Sequence, residues 1–238
     1  MPENPHPIPV SGQPNAPAEP YSEPRHDVPA VVDADIDLFG AEAAAALLTE
    51  RLQSVEPHRV WYAEDGRALL SPPFAPARDR VDGYASALAT LVVFGAFATP
   101  WSRRLGNVLV HVREHHHTSA RIVWRHYPDP TAHPRAAVLA LATEAAATQG
   151  RFWVLVRELL ARSHDDPADL HEALLQSGLD PDRVLSEMQA GMGAERIADD
   201  VASARASGVT SAPALFVNGE RYTGELDPDS VSRALDQE

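Results

Sequence analysis

Gly208-Val209-Thr210-Ser211-Ala212-Pro213-Ala214-Leu215-Phe216-Val217-Asn218-Gly219 is the stretch from which the rest of the chain can be read. Ala214 to Asn218 and Arg221 to Thr223 flank an Asn-Gly pair. That pair tolerates the positive φ of a tight turn, so the spacing predicts a β-hairpin. Pro228 to Leu235 then reads as a closing helix. Far upstream, Leu88 to Phe94 is an apolar run of the kind a buried strand shows. Thr99-Pro100 comes next: a threonine can cap free amides and a proline suits the first helical position. A helix is expected from there to about His115. Ala120 to Tyr127 is a second strand, Ile122 and Trp124 alternating with Val123 and Arg125. From Ala132 to Ser207 the pattern is helical, broken at Gly150, at Pro167, at Gly178-Leu179-Asp180-Pro181 and at Gly191 to Gly193.

The order is β–α–β, a helical block, then β–β–α, which is the arrangement of an α/β thioredoxin fold with an inserted helical block. Val93-Phe94-Gly95-Ala96-Phe97-Ala98-Thr99-Pro100-Trp101-Ser102 resembles the strand-to-helix junction of the DsbA-like family. Members of that family place a Cys-Pro-aromatic-Cys motif there. Residues 208–219 are similar to the same family's cis-proline loop and hairpin, which implies a cis Ala212–Pro213 bond. His126-Tyr127-Pro128, His133-Pro134 and the segment Ala145 to Trp153 are similar to its intervening segments. The likeness covers about residues 80–236, and Asp79-Arg80-Val81-Asp82-Gly83 resembles the lead-in of actinobacterial DsbA-type domains, including copies fused to sodium/proton antiporters.

Composition removes the chemistry that this family implies. The chain has no cysteine, so disulfides, thiolate metal sites and a cysteine nucleophile are excluded. Thr99 and Ser102 stand where the two cysteines would be, and a hydroxyl cannot form a disulfide. Positions before the motif that are commonly acidic in the family hold Ala96 and Ala98. The motif Thr99-Pro100-Trp101-Ser102 is therefore degenerate and no catalytic residue is assigned. What remains is a scaffold in which the resemblance implies a peptide groove bounded by Thr99, Trp101, Ala212 and Pro213. The blander reading makes Thr99 and Pro100 a helix cap and Trp101 local packing. Thr99-Pro100-Trp101-Ser102 is also similar to the Ser-Pro-Tyr-Ser sequence of kappa-like glutathione transferases. This implies, as an alternative, a glutathione-dependent transferase or isomerase working through a Thr or Ser hydroxyl; a structural accessory domain is a third. The helical block is shorter than in those enzymes.

Thirty-four acidic residues against 20 basic ones give a formal charge of −14, and all the basic residues are arginine. Such a chain is repelled by nucleic acid and by anionic membrane surfaces, and favours a basic protein or peptide partner. No apolar run reaches the length of a membrane span. Residues 1–30 lack a basic start followed by an apolar stretch, so no secretory signal is read and cytoplasmic residence is expected.

Nine of the 21 prolines fall in the first 30 residues, among few large apolar side chains. Residues 1–36 are therefore expected to be a disordered tail, since they can bury too little to offset their ordering entropy. Residues 37–78 read as a small helix–hairpin extension, with a helix over about 40–55 and strands His58–Ala63 and Arg67–Ser71 around Glu64-Asp65-Gly66. Residues 79–238 form the DsbA-like domain. His111 and His115 share one helix face, but at a helix C-terminus histidines are usually solvated, so no metal site is assigned. Asp165, Asp166 and Asp169 lack calcium-loop spacing. No cofactor is expected.

Overall fold

The computed structural model describes residues 38–56, 59–133, 135–162 and 168–237. The proline-rich tail lies outside them, as do His58, His164, Asp165, Asp166 and Pro167. Five strands form one sheet in the order β1-β3-β2-β4-β5: β1 Arg80–Asp82, β2 Ala89–Gly95, β3 Ala120–His126, β4 Ala214–Val217 and β5 Glu220–Arg221. Strands β2 and β3 run parallel, which needs a crossover, and α2 Ser102–His115 supplies it. The other pairings are antiparallel. Asn218 and Gly219 both adopt positive φ, 49° and 91°, so β4 and β5 turn as the Asn-Gly pair predicts.

The helical block consists of α3 Arg135–Thr148, α4 Phe152–Ala161, α5 Ala168–Gln176, α6 Pro181–Gln189 and α7 Ala194–Ala206, and α8 Pro228–Asp236 closes the domain. Helix α1, Leu38–Gln53, packs on α3, α6 and α7 and buries Leu48 and Leu52 in the main core. That core takes one sheet face through Leu91, Val93, Ile122, Trp124 and Leu215. The other face, with Val92, Phe94, Val123 and Phe216, is covered by Leu70, Ala204 and Val209. Both faces of β2 are thus buried, which is why its sequence is an apolar run instead of an alternation.

The 59–71 segment is a hairpin: Tyr62 pairs with Ala68, and the Leu69 amide donates to the Trp61 carbonyl at 2.8 Å. It continues the sheet beyond β5, because the Leu70 amide donates to the Gly219 carbonyl at 2.8 Å and Arg221 to Ala68 at 2.9 Å. Four details differ from the sequence reading. Strand β5 is Glu220–Arg221, directly after the turn, instead of Arg221 to Thr223. Strand β2 starts at Ala89, and Leu88 is 76% exposed. Strand β1, only three residues long, is too short to show periodicity. Helix α2 begins at Ser102 instead of Thr99. Ala98 takes a left-handed φ of 55°, and a single turn closed by Ser102 N–H to the Thr99 carbonyl (3.1 Å) leads into the helix.

A buried polar network runs between β3 and the helices. The Trp124 indole N–H can only donate, and it lies 3.1 Å from Nδ1 of His126. Nδ1 therefore accepts and Nε2 carries the proton, which it donates to Glu144 at 3.2 Å. Arg80 reaches the same carboxylate at 2.5 Å. Burial alone would raise the Glu144 pKa, but the hydrogen bonds from His126 and Arg80 outweigh it and bring the value down to about 2, from an ordinary 4.5. A depressed carboxylate stabilises the fold above its unfolded pKa and loses that contribution as pH falls through the folded one. Glu144 should therefore contribute about 3 kcal/mol at neutral pH, lost between about pH 4.5 and pH 2. Asp200 works the other way: burial pushes its pKa up despite Arg196, His126 and Arg78, so its protonation in acid is stabilising. The difference in unfolding free energy between native protein and Glu144→Gln isolates the first effect. It should shrink across the acid range, and a pH-independent difference would refute the assignment.

Candidate functional site

The degenerate motif sits where β2 leaves the sheet. Gly95 is required there, since a Cβ would lie 2.2 Å from the Trp124 ring. Beyond it the chain turns through Ala98, and the hydroxyls of Thr99 and Ser102 meet at 3.1 Å. The Thr99 amide donates to Ser102 Oγ at 3.0 Å, and the Trp101 amide to Thr99 Oγ1 at 3.3 Å. The Thr99 side chain thus accepts from the amide two residues ahead, as an N-cap does, although the helix proper starts later. Ser102 is buried, Thr99 is partly exposed, and Trp101 is 49% exposed. No carboxylate or imidazole among the described residues hydrogen-bonds either hydroxyl. Neither, then, has the adjacent base that would make it a nucleophile.

Facing this turn is the loop that precedes β4. The Ala212–Pro213 bond is cis. Among the described residues no hydrogen bond is made by the main chain of Thr210, Ser211 or Ala212. Thr210 and Ser211 are exposed and Ala212 is half-buried. The turn and the loop line one cleft of about 490 Å³. Thr99, Pro100, Trp101 and Ala212 all reach it; Pro213 follows the last of them in sequence and begins the passage into β4.

The rest of the lining was not legible from the motifs. Thr49, Leu52 and Gln53 come from the end of α1, and Tyr127 to His133 form a further wall. Arg205 of α7 also faces the cleft; its guanidinium donates to the carbonyls of Leu52, at 3.0 Å, and Val55. Leu52 lies in the last turn of α1, whose final carbonyls have no partner within the helix, and Val55 lies just beyond its end. Burial raises the Tyr127 phenol above its usual pKa, with Arg205 acting against that rise and Asp129 adding to it. Its hydroxyl donates to the Val209 carbonyl at 3.3 Å.

The histidine cluster lies elsewhere, at the end of α2. His111 and His115 stack with centroids 4.0 Å apart, and Nδ1 of His115 donates to the His111 carbonyl at 2.9 Å. His116 bonds Ser232 at 2.6 Å. Among the described residues no three His, Cys, Asp or Glu side chains are grouped to hold a metal.

A sequence profile of the thioredoxin family matches residues 77–237. The chain belongs to that family. It has no cysteine, and its fold is DsbA-like. The chain superposes on oxidised BdbD from Bacillus subtilis with a TM-score of 0.63 at 15% identity, covering 71% of this chain and 97% of that one. Alpha-DsbA1 of Wolbachia pipientis gives 0.58 at 16% identity, covering 71% and 93%. Sequence likeness is stronger to another group. The chain is 35% identical over 209 residues to the Na(+)/H(+) antiporter NhaA 1 of Mycolicibacterium gilvum, covering 87% of this chain and 33% of that protein. Against NhaA 3 of Salinispora tropica the identity is 37% over 220 residues, with the same coverages. The chain thus spans about a third of the length of these curated relatives.

Proposed function

We propose that this DsbA-like domain is a redox-inert binding module that holds an extended polypeptide in the cleft between Trp101 and Ala212. The observation that carries the reading is the unpaired main chain of Thr210, Ser211 and Ala212 beside a half-exposed tryptophan. Free amides and carbonyls in an extended loop accept an added strand, which supplies affinity from backbone hydrogen bonds. Trp101 adds apolar area, and aromatic side chains commonly dominate such contacts. Because the chain has no thiol, no covalent step holds the ligand, and exchange is fast. The formal charge of −14 favours a segment with a basic body, so binding weakens as salt rises.

The relatives named as antiporters supply a partner class. In them the matching region is about a third of a longer chain. Our reading takes a segment of an antiporter polypeptide as the first ligand to try.

Randomised octapeptides retained on the immobilised full chain provide the ligands for the test, with glutathione and an insulin-reduction assay run beside them. Retained peptides should perturb the amide resonances of Thr210 to Ala212, and insulin should not be reduced. Trp101→Ala should weaken them by about 1–3 kcal/mol while changing folding stability by less than ~0.5 kcal/mol. If Trp101→Ala instead unfolds the domain and leaves affinity intact in the folded fraction, Trp101 is a core residue and the groove reading fails. Glutathione binding with transferase turnover would replace this reading by the enzymatic one.

A further inference from the structure

We infer that the cleft captures the C-terminal end of its polypeptide ligand, with Arg205 as the residue that reads the terminal carboxylate. The inference rests on the groove reading above and names the part of the ligand that reading leaves open.

Arg205 is half-buried on the wall formed by α7. Its two hydrogen bonds go to main-chain carbonyls of residues 52 and 55, and among the described residues no carboxylate pairs with it. A guanidinium carries five N–H donors in a planar fork suited to a carboxylate, so donors remain. Its full charge faces the cleft in a protein whose net charge is strongly negative. Neutral groups able to hydrogen-bond an oxyanion line the same cleft: the Gln53 amide and the hydroxyls of Thr131, Thr210 and Ser211. None of these four side chains has a hydrogen-bond partner among the described residues.

Two observations favour a chain end over an internal acidic residue. The cleft is walled on one side by the last turn of α1, which Arg205 itself ties to α7, and its volume of about 490 Å³ is that of a small-ligand site. That volume takes a few residues, which the end of a chain supplies. Asp129 also lines the cleft, its Oδ1 accepting the amides of Thr131 and Ala132 at 3.0 and 3.1 Å. That carboxylate and the net charge of −14 repel a segment acidic along its length. A neutral or basic segment with one terminal carboxylate meets both conditions: the body satisfies the long-range field, and the end satisfies Arg205. Its preceding residues would then lie against Ala212 and Trp101.

The test compares two randomised octapeptide libraries, identical but for a free C-terminal carboxylate or a carboxamide, on the immobilised full chain. Charge-assisted pairing of a partly desolvated carboxylate should retain the acid library about ten-fold or more over the amide library. Arg205→Gln should abolish that preference. The acid–amide comparison on the native protein stands alone should Arg205→Gln loosen α1. Equal retention of the two libraries overturns the inference and leaves the groove reading in place. Retention of amide peptides enriched in internal Asp or Glu also overturns it, by assigning Arg205 to side-chain carboxylates. If neither library is retained, the groove reading itself falls, and the inference with it.

Discussion

Arg125→Met should cost about 3–5 kcal/mol of folding stability, a drop in Tm on the order of 10 °C or more for a domain of this size. Arg125 is completely buried on β3, facing the smaller of the two cores. Every donor of its guanidinium is used. Nε and Nη2 form a bidentate pair with Asp79 at 2.9 and 3.0 Å, and Nη2 also reaches the Pro73 carbonyl at 3.3 Å. Nη1 donates to the Pro72 carbonyl at 2.9 Å and to Ser203 at 2.8 Å. One side chain thus ties β3 to the 72–79 segment and to α7. Methionine fills most of the volume but strips Asp79 of its main partner, leaving Arg78 and the Ala75 amide, each at 2.9 Å, and Arg196 at 3.9 Å. The loss arises from that weakened pairing of a buried carboxylate and from two orphaned carbonyls, more than from the value of the ion pair itself. Arg125→Lys should recover little, because an ammonium cannot reproduce the fork. Urea unfolding of the full chain measures both variants. A cost below ~1 kcal/mol for Arg125→Met would mean that water or a rearranged Arg78 replaces the network, and that Arg125 does not hold β3 to the 72–79 segment.

The sequence could not announce this residue. Ile122 and Trp124 alternate with Val123 and Arg125, a pattern that reads as one buried face and one partly polar face. Only the covering of the second face by the 70–74 segment and α7 buries Arg125, and its partner Asp79 lies 46 positions away. The same holds for Glu144, 64 positions from Arg80, and for Arg205, 153 positions from Leu52. Pairings of this kind depend on the finished topology. The legible parts are local. Asn218-Gly219 sets its own turn, the apolar run of β2 reports burial on both faces, and Thr99-Pro100-Trp101-Ser102 marks a strand-to-helix junction whatever its chemistry. One half of the cleft, the half made by that turn and the residues before Pro213, could accordingly be named from sequence. The half made by α1, the 127–133 wall and Arg205 could not, because nothing in Thr49, Gln53 or Arg205 signals which neighbours they will meet. Helix α1 read as an amphipathic segment, but the surface it packs on was set by α3, α6 and α7.

Thr99→Cys with Ser102→Cys should turn a cysteine-free protein into a disulfide-forming one, a change from no thiol–disulfide activity to a definite one. The two hydroxyl oxygens already lie 3.1 Å apart, so modest side-chain adjustment brings two sulfurs to a bonding distance of about 2.05 Å. The environment of position 99 is suited to a thiolate. The Trp101 amide points at the side-chain atom there, and the first turn of α2 presents its positive end. A thiol introduced at position 99 should therefore titrate below the ordinary value of about 8.5. Position 99 is partly exposed and position 102 is buried, so the first cysteine can meet an incoming disulfide and the second can resolve it. Turnover should remain slow, because Ala96 and Ala98 offer no carboxylate to relay protons. Thiol counting before and after mild oxidation, a pH titration of thiolate absorbance, and insulin reduction with dithiothreitol measure the three expectations. The single variants should form no internal disulfide. If the double variant is folded yet keeps two free thiols after oxidation, with neither pKa depressed, the turn does not hold the geometry described. The redox competence of the fold would then have been lost in the backbone as well as in the side chains.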